Sequence, residues 1–418
     1  MTSSTKSAKT AHTATPSWPV PTGAGADVPV SARGNNLDTV RRHNLGTVLA
    51  MVHRGGPAAR STLTQSTGLN RSTIGALVGE LADLGLVVES EPGASNRVGR
   101  PSPVVTASPD VVAIAVNPEV DAITVGVVGL DGTLHRRVRY PTGHVPTAEE
   151  AVAIASAVID GLRTDLATFA RTIGIGVAVP GLVREADGVV RLAPHLEWVD
   201  EPFTSMLEEA TGFVTRSAND ASLGATAERY FGAGRRASDL VYINGGASGI
   251  GAGVIVNGDP LTGISGYAGE LGHTLVNSNG MRCHCGAIGC LETEVNQASL
   301  LGVLGLASAD SDELDRALAA SAADPAVAEE IERQLHYLAV AMRNATNVFN
   351  PQLIVLGGFL GALHQVAPER LTQLIADQAL KASGESLAIA RAELGSRLLM
   401  VGAAELAFGP LLADPAGT

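Results

Sequence analysis

The sequence predicts an α/β protein in which two similar lobes follow an N-terminal winged helix-turn-helix. Three observations support this fold class. A strand–turn–strand pattern begins at residue 111 and again at residue 240, helices and strands alternate elsewhere, and three helices precede the first copy. At 418 residues the chain is too long for one ordinary domain, and 45% hydrophobic residues suffice for more than one core.

The N-terminal part of the chain is predicted to hold a tail and a winged helix-turn-helix domain. Residues 1–33 are rich in Ser, Thr, Ala and Pro, which is typical of a disordered tail. Residues 34–108 contain a helix that ends at Gly55, a short helix closed by Gly68, and a third helix with Asn70 as its N-cap. Two strands around a Gly/Asn/Ser/Pro loop then form the predicted wing.

The start of the third helix and the tip of the wing carry the predicted DNA contacts. In a helix-turn-helix, the N-terminal residues of this helix reach base edges in the major groove. An arginine flanked by Gly and Pro can lie in the narrow minor groove of A·T-rich DNA. The predicted DNA-binding residues are Gln65, Asn70, Arg71, Ser72, Thr73, Arg97 and Arg100. The alternative is a winged helix that contacts protein.

The charge distribution also separates the winged helix-turn-helix domain (residues 34–108, called the head below) from the rest of the chain. The whole chain has a net charge of −13, which does not favour nucleic acid. Residues 33–104, however, hold eight arginines against five acids, a local charge of +3. A basic module on an acidic body is typical of a DNA-binding head, although a solvated helical face would give the same count.

All three cysteines of the chain, Cys283, Cys285 and Cys290, lie within eight residues. Their absence elsewhere indicates a reducing cytosol, where thiols bind metal or react more often than they form disulfides. Gly286 and Gly289 let the chain turn back and bring the third thiol to the first two. Three thiolates are one ligand short of the tetrahedral shell of a structural zinc. A redox thiol pair and a fortuitous cluster are the alternatives.

Targeting signals are not evident in the sequence. No apolar run reaches the ~18 residues of a membrane span, and the N-terminus lacks the continuous apolar core of a secretory signal. We therefore expect a cytoplasmic protein, associated with the nucleoid and not inserted in a membrane.

Six motifs in a fixed order resemble the ROK family of sugar kinases and sugar-responsive repressors. They are "GIGVAVPGLV" (174–183), "ANDASLGATAERYFG" (218–232), "SGIGAGVIVNG" (248–258), "GYAGELGHTLV" (266–276), "CHCGAIGCLETE" (283–294) and "NPQLIVLGG" (350–358). The resemblance covers essentially everything after residue 34, and its most specific part runs from Glu270 to Glu292. The winged head places the chain with the repressors.

The resemblance implies an actin-like, two-lobed fold of the ribonuclease H-like, sugar-kinase type. The first α/β lobe is then expected at residues 109–219 plus about 396–418. The second lobe, which carries the zinc site, is expected at residues 220–395.

The resemblance also assigns a hexose site residue by residue. The implied sugar-binding residues are Gly181, His195, Asn219, Asp220, Glu270, His273 and Glu292. Carboxylates and amides suit this role because their oxygens accept hydrogen bonds from vicinal hydroxyls. His195 departs from the family, in which many members have Asn, so the sugar cannot be taken from a relative. Asp220 as a simple helix cap and Glu292 as a surface acid are the alternatives.

The metal site is completed by the same resemblance. His273 joins Cys283, Cys285 and Cys290 in a closed Cys₃His shell, which implies a structural Zn²⁺ because no position stays open for an activated water. His284 is the competing fourth ligand, but it lies between two ligands and is expected to point away.

The first phosphate-binding turn departs from the kinase pattern. Where the family's kinases have Asp-x-Gly, this chain has Asn117, Pro118 and Glu119. Proline removes an amide donor, and the glutamate places a negative charge where phosphates would approach. The second loop, "GGASGIGAG", is retained, but glycine also serves tight turns. We expect an inactive kinase in which Asp220, which matches the kinase general base, remains as a sugar ligand.

These inferences together predict a sugar-responsive, DNA-binding regulator of carbohydrate metabolism, with repression as the family default. Its partners would be an inverted-repeat operator with A/T-rich flanks, a small sugar or sugar phosphate, and further copies in a homodimer or homotetramer. An ATP-dependent sugar kinase with an appended DNA-binding head is the alternative.

Overall fold

The structure is a computed structural model that describes residues 37–91, 102–246 and 249–417. Residues Arg41–Thr418 form one compact unit, and the described part of Met1–Val40 is the first turn of a helix. The predicted tail and the wing residues Arg97 and Arg100 lie outside the described residues. The predicted domain boundaries stay predictions.

The first described region folds as three helices and a small antiparallel sheet. Its elements are α1 (Leu37–Gly55), β1 (Ala58–Ala59), α2 (Arg60–Thr67), α3 (Arg71–Asp83), β2 (Val87–Ser90) and β3 (Val104–Ala107). Gly68 ends α2 in the left-handed conformation (φ 71°), and the Asn70 side chain caps α3 by accepting from the Thr73 amide at 2.8 Å. The short strand β1, which was not predicted, gives the sheet order β1-β3-β2.

The next region is built on a five-stranded sheet. Its elements are β4 (Val111–Pro118), β5 (Ala122–Gly129), β6 (Leu134–Pro141), α4 (Ala148–Gly161), α5 (Arg163–Leu166), β7 (Arg171–Val179), β8 (Leu182–Val183), β9 (Val190–Ala193), β10 (Trp198–Glu201), α6 (Phe203–Thr211) and β11 (Thr215–Asn219). Strands β4, β5 and β6 form an antiparallel meander, and β7 and β11 add in parallel, giving the order β11-β7-β4-β5-β6. Strands β8, β9 and β10 form a small separate sheet.

The last region repeats this plan around a second sheet. Its elements are α7 (Asp220–Phe231), β12 (Leu240–Gly246), β13 (Gly249–Val256), β14 (Asp259–Pro260), α8 (Leu291–Glu294), α9 (Gln297–Leu304), α10 (Ser311–Ser321), α11 (Pro325–Phe349), β15 (Leu353–Gly357), α12 (Gly358–Val366), α13 (Pro368–Ala376), α14 (Lys381–Gly384), β16 (Ala388–Arg391) and α15 (Leu398–Ala413). The order β14-β13-β12-β15-β16 again joins a three-stranded meander to two parallel strands. The predicted duplication of an α/β lobe is therefore confirmed.

Helix α15 packs against the first sheet and shares a core with the N-terminal helices. Buried side chains of α1 and α3 lie in the same apolar cluster as β4 and α15, so the head helices and the first sheet share one core. The contact is close: a Cβ at Gly46 would lie 2.6 Å from the carbonyl oxygen of Leu412. The head is thus held against the body along α15.

The same helix is strongly apolar. Within the described residues, one helical segment, Gly395–Ala413, is long and apolar enough to cross a membrane by length and composition. It is 61% buried inside the protein, and α15 packs on β4 and β7. A buried core helix passes the same test, so the finding carries little weight for a membrane span.

Candidate functional site

The candidate sugar cleft begins where β11 leads into α7. Asn219 is the N-cap of α7: its side-chain oxygen accepts from the Ser222 amide at 2.9 Å, and its amide nitrogen donates to the Gly181 carbonyl at 3.0 Å. Asp220 is the first residue of the helix and accepts from the Ala221 amide at 2.7 Å. The capping role thus belongs to Asn219, and Asp220 is not the cap.

Two carboxyl groups in this region have raised pKa values. Burial is the main cause that raises the pKa of Asp220 to about 7; the hydrogen bond from the Ala221 amide opposes it, and the nearby charge of Glu270 adds to it. Burial also raises the pKa of Glu270, which senses the charges of His273 and Glu292. The predicted sugar-binding acids therefore lie close enough to interact electrostatically.

The three thiols and His273 form a cluster that can hold a metal ion. The ligand atoms of His273, Cys283, Cys285 and Cys290 all lie within 4.8 Å of one another. The Cys285 and Cys290 sulfurs are 3.7 Å apart, and the Cys283 sulfur is 3.6 Å from Nδ1 of His273. A tetrahedral zinc shell has S···S edges of ~3.8 Å and S···N edges of ~3.6 Å, so the donor set fits such an ion.

Glu292 connects this cluster to the cleft. Its Oε1 lies 3.0 Å from the Cys283 sulfur, 3.5 Å from Nδ1 of His273 and 3.0 Å from Nδ1 of His284. The side chain is 10% exposed, so Glu292 is not a surface acid. This carboxylate therefore joins the thiol cluster to the candidate sugar site.

Two histidines line the same carboxylate, and one of them was not predicted as a site residue. The rings of His195 and His284 meet edge to face at 5.7 Å, and those of His284 and His273 at 5.1 Å. Burial and then the neighbouring His284 lower the pKa of His195. The available signal for His284 was its position in the sequence between Cys283 and Cys285, and its Nδ1 lies 3.9 Å from the Cys283 sulfur.

Glycines allow the chain segments around the cleft to approach closely. A Cβ at Gly181 would lie 2.4 Å from the Leu192 carbonyl oxygen, so only glycine fits there. Gly249 (φ 149°) was not predicted as a site residue, yet a Cβ there would lie 2.8 Å from the Glu292 carboxylate. This glycine keeps the space above Glu292 open.

The predicted DNA-binding residues that the structure describes gather at α2 and the start of α3. Gln65, Asn70, Arg71 and Ser72 are exposed, and Thr73 is half-buried. The Ser72 hydroxyl donates to the Asn70 side chain at 2.7 Å, so these two are committed to the cap. Other arginines of the head form ion pairs with acids. These pairs are Arg41–Glu80, Arg42–Asp414, Arg54–Glu405 and Arg60–Glu89.

The turn between β4 and β5 is internally bonded. The Glu119 amide donates to the Ala122 carbonyl at 2.8 Å. The Glu119 carboxylate accepts from Thr124 at 2.6 Å and from Arg139 at 3.2 Å. Asn117 is buried and donates to the Ala178 carbonyl at 2.9 Å. Ala247 and Ser248 of the second predicted phosphate loop lie outside the described residues.

Fold and site together define a two-lobed, actin-like α/β protein of the sugar-kinase type, with an acidic cleft beside a Cys₃His cluster. The chain belongs to the ROK family, whose profile matches residues 113–409. That match spans most of the chain and begins just after the N-terminal helices and their sheet.

Curated relatives match over nearly the whole chain. The xylose repressor of Caldicellulosiruptor bescii is 27% identical over 387 residues, which cover 85% of this chain and 93% of that protein. The N-acetylglucosamine repressor of Escherichia coli O6:H1 is 29% identical over 376 residues, which cover 88% of this chain and 92% of that protein.

Solved structures show the same fold. One described as a ROK family transcriptional regulator, a homolog of the E. coli MLC protein, superposes with a TM-score of 0.73 at 25% identity over 90% of this chain and 97% of that chain. The ROK hexokinase from Thermus thermophilus superposes with a TM-score of 0.58 at 28% identity over 72% of this chain and 99% of that chain.

Proposed function

We propose that this protein is a sugar-responsive, DNA-binding transcriptional regulator of carbohydrate metabolism that acts as a repressor. The observation that carries the proposal is the presence, in one chain, of a helix-turn-helix and the polar cleft of a ROK body. Relatives named as repressors cover 85% and 88% of the chain, whereas the hexokinase covers 72%. The N-terminal helices thus favour the repressor branch.

The effector in this proposal is a small sugar or sugar phosphate bound between the lobes. Asp220, Glu270 and Glu292 accept hydrogen bonds from its hydroxyls, and His273 and His195 add ring nitrogens. Asn219 and Gly181 form the back of the site. Two observations support this site. Besides burial, Glu270 raises the pKa of Asp220 and Glu292 raises that of Glu270, and the Glu292 carboxylate lies next to His273.

The metal in this proposal is a structural Zn²⁺ held by His273, Cys283, Cys285 and Cys290. When bound, zinc would hold the loop together through these four side chains, and four protein ligands would leave no position for an activated water. The sulfur and nitrogen separations support this choice. His284 takes a different role: its ring nitrogen lies against Glu292, on the sugar side.

The head reads an operator that is an inverted repeat with A/T-rich flanks. Each copy of a homodimer or homotetramer places one α3 in the major groove. Arg71 and Gln65 are the best placed for base or phosphate contacts, because Asn70 and Ser72 bond to each other within the cap. Arg97 and Arg100 are proposed to add minor-groove contacts. A DNA-binding repressor of this kind acts in the cytoplasm, at the nucleoid.

Arg71→Ala is the direct test of the DNA-binding function. Loss of the exposed guanidinium should weaken binding to a DNA fragment selected in vitro by about 1–3 kcal/mol, because a charged contact to a base or phosphate is removed. The control is Arg137→Ala, which removes an exposed arginine on β6. Fluorescence anisotropy at two salt concentrations measures both variants. If no DNA fragment is bound even at low salt, and Arg71→Ala causes no loss, a protein-binding head is favoured instead.

We further propose that the chain does not transfer phosphate. The Glu119 amide is already bonded to Ala122, Pro118 has no amide hydrogen, and the Glu119 carboxylate adds an acid to this turn, where it accepts from Thr124 and Arg139. A coupled assay with ATP, Mg²⁺ and a panel of hexoses, pentoses and N-acetylated sugars should give no turnover above background. Turnover that Asp220→Asn abolishes would restore the kinase alternative.

A further inference from the structure

Helix α7 connects the candidate sugar cleft with the base of the DNA-binding head. It begins at Asp220, beside the capping Asn219, and ends at Phe231. Its 12 residues span about 18 Å. A sugar that moves the first turn of this helix would therefore move its last turn as well.

The last turn of α7 holds the last turn of α1. The guanidinium of Arg54 lies over the Tyr230 ring, 3.9 Å from its centroid. The rings of His53 and Phe231 meet edge to face at 5.4 Å. Since α1 and α3 share a core, the direction of α1 determines where the recognition helix points.

Helix α15 packs against both α7 and the last turn of α1. A Cβ at Gly402 would lie 2.5 Å from the carbonyl oxygen of Leu223, so α15 and α7 touch through their backbones. Three residues further on, the Glu405 carboxylate accepts from Nε2 of His53, and Nδ1 of that ring faces the Leu130 carbonyl oxygen. Both ring nitrogens face acceptors, so the ring donates from both and is positively charged.

The charge state of His53 makes this contact strong and directional. Burial on its own lowers the pKa of His53, but the charge of Glu405 and the hydrogen bonds to Glu405 and Leu130 outweigh it and raise the pKa. Breaking a buried pair by removing one partner is costly, because it leaves the other charge uncompensated. A displacement of α15 or α7 is therefore passed on to α1 rather than absorbed.

Arg54 and Glu405 are close to forming a hydrogen bond that they do not yet make. Nε of Arg54 and Oε2 of Glu405 are buried, find no hydrogen-bond partner among the described residues and lie 3.7 Å apart. A cavity of about 900 Å³ runs beside α7 and is lined there by Ser222, Thr226 and Tyr230. A small shift of α1 against α15 would close a charge-assisted hydrogen bond between Arg54 and Glu405, and the cavity leaves α7 room to move.

We propose that α7 transmits sugar binding to the DNA-binding head through a junction formed by His53, Arg54, Tyr230, Phe231 and Glu405. The inference rests on the proposed function, because it names the route between the two proposed sites. Sugar at the start of α7 changes the position of Tyr230 against Arg54, and α1 turns about the His53–Glu405 pair. The expected coupling is ~5–150-fold in DNA affinity.

The experiment compares full-length, zinc-loaded wild type with Glu405→Gln and Tyr230→Leu. The matched control is Glu332→Gln, which breaks the exposed ion pair with Arg370 away from the junction. The probes are D-xylose, N-acetylglucosamine and the DNA fragment selected with the wild type. Thermal shift gives sugar affinity, and anisotropy gives the ratio of DNA dissociation constants with and without sugar.

Both junction variants should keep sugar affinity and sugar-free DNA affinity within about threefold of wild type, while the ratio falls to within about threefold of one. Glu332→Gln should keep the wild-type ratio. Adding His53→Gln to Glu405→Gln should not lower the ratio of DNA dissociation constants any further, because the two side chains act as one pair. Junction variants with a wild-type ratio would overturn the inference alone. A wild type whose DNA affinity ignores both of these sugars and the other hexoses, pentoses and N-acetylated sugars, free or phosphorylated, would overturn the proposed function and the inference with it.

Discussion

Cys283→Ser should remove both bound zinc and the response to sugar. Serine is a poor zinc ligand, and a shell that loses one of four donors no longer closes around the ion. Glu292 lies 3.0 Å from the Cys283 sulfur and 3.5 Å from Nδ1 of His273, so loosening the cluster displaces two proposed sugar ligands. Zinc content should fall from one ion per chain to nearly none. In the wild type, sugar at 100 times its dissociation constant should raise the free energy of unfolding by about 2.7 kcal/mol, and Cys283→Ser should lose this increase.

Two further variants separate the metal from the direct contact. Cys285 is exposed and its sulfur neighbours Cys290, so Cys285→Ser should reproduce the loss without touching Glu292. His284→Asn should keep full zinc content and change only sugar affinity, because this ring is not one of the four proposed zinc ligands and its Nδ1 lies closer to Glu292 (3.0 Å) than to the Cys283 sulfur (3.9 Å). Metal analysis and thermal shift on the same samples provide the readout. Sugar shifts that persist in zinc-free protein would contradict the link between cluster and cleft.

Local signals in the sequence predicted the parts of the fold that short-range chemistry determines. Asn70 caps α3 and Gly68 ends α2, because a side-chain acceptor and a left-handed glycine act within three or four residues. The two meander openings were recognisable because alternating strands and tight turns are also local patterns. Family resemblance then supplied the actin-like arrangement, which no single motif encodes.

Contacts between distant segments could not be predicted in this way. His53 and Glu405 are 352 residues apart, and nothing near either residue indicates the other. Likewise, the charge count gave the head a net charge of +3 but could not show that Arg41 and Arg60 pair with Glu80 and Glu89. Pairings of this kind depend on how helices pack, which a pattern along the chain does not specify.

The candidate site shows the same division between local and distant information. The thiol spacing pointed to a metal, since three donors in eight residues need only one turn to converge. The direction of His284 and the close approach of Gly249 to Glu292 depend on how two loops from different elements meet. The sequence therefore indicated the ligand types, whereas the packing determines which additional side chains enter the cleft.

Asp220→Asn should stabilise the sugar-free protein while abolishing sugar binding. Burial raises the pKa of Asp220 from 3.8 to about 7, so the folded state holds its proton more tightly than the unfolded state. The contribution of this carboxyl to wild-type stability is then greatest at low pH and is lost as the pH rises from about 4 to about 7. The loss in free energy of unfolding is on the order of 1–4 kcal/mol, and partial solvation of the carboxyl keeps it below the full value. In Asp220→Asn, the buried amide must find its own hydrogen-bond partners, which reduces the gain in stability.

Thermal unfolding at pH 5 and pH 8 tests this expectation. The advantage of Asp220→Asn over wild type should grow with pH, because the substitution removes a group that must ionise in a poorly solvated place. Asp165→Asn, which removes an exposed carboxylate paired with Arg136, should show no such growth. The sugar-induced shift should be absent in Asp220→Asn. The carboxylate offers two oxygens that accept from sugar hydroxyls, whereas the amide offers only one. A variant whose advantage does not change with pH would refute the raised pKa, and a retained sugar shift would remove Asp220 from the sugar site.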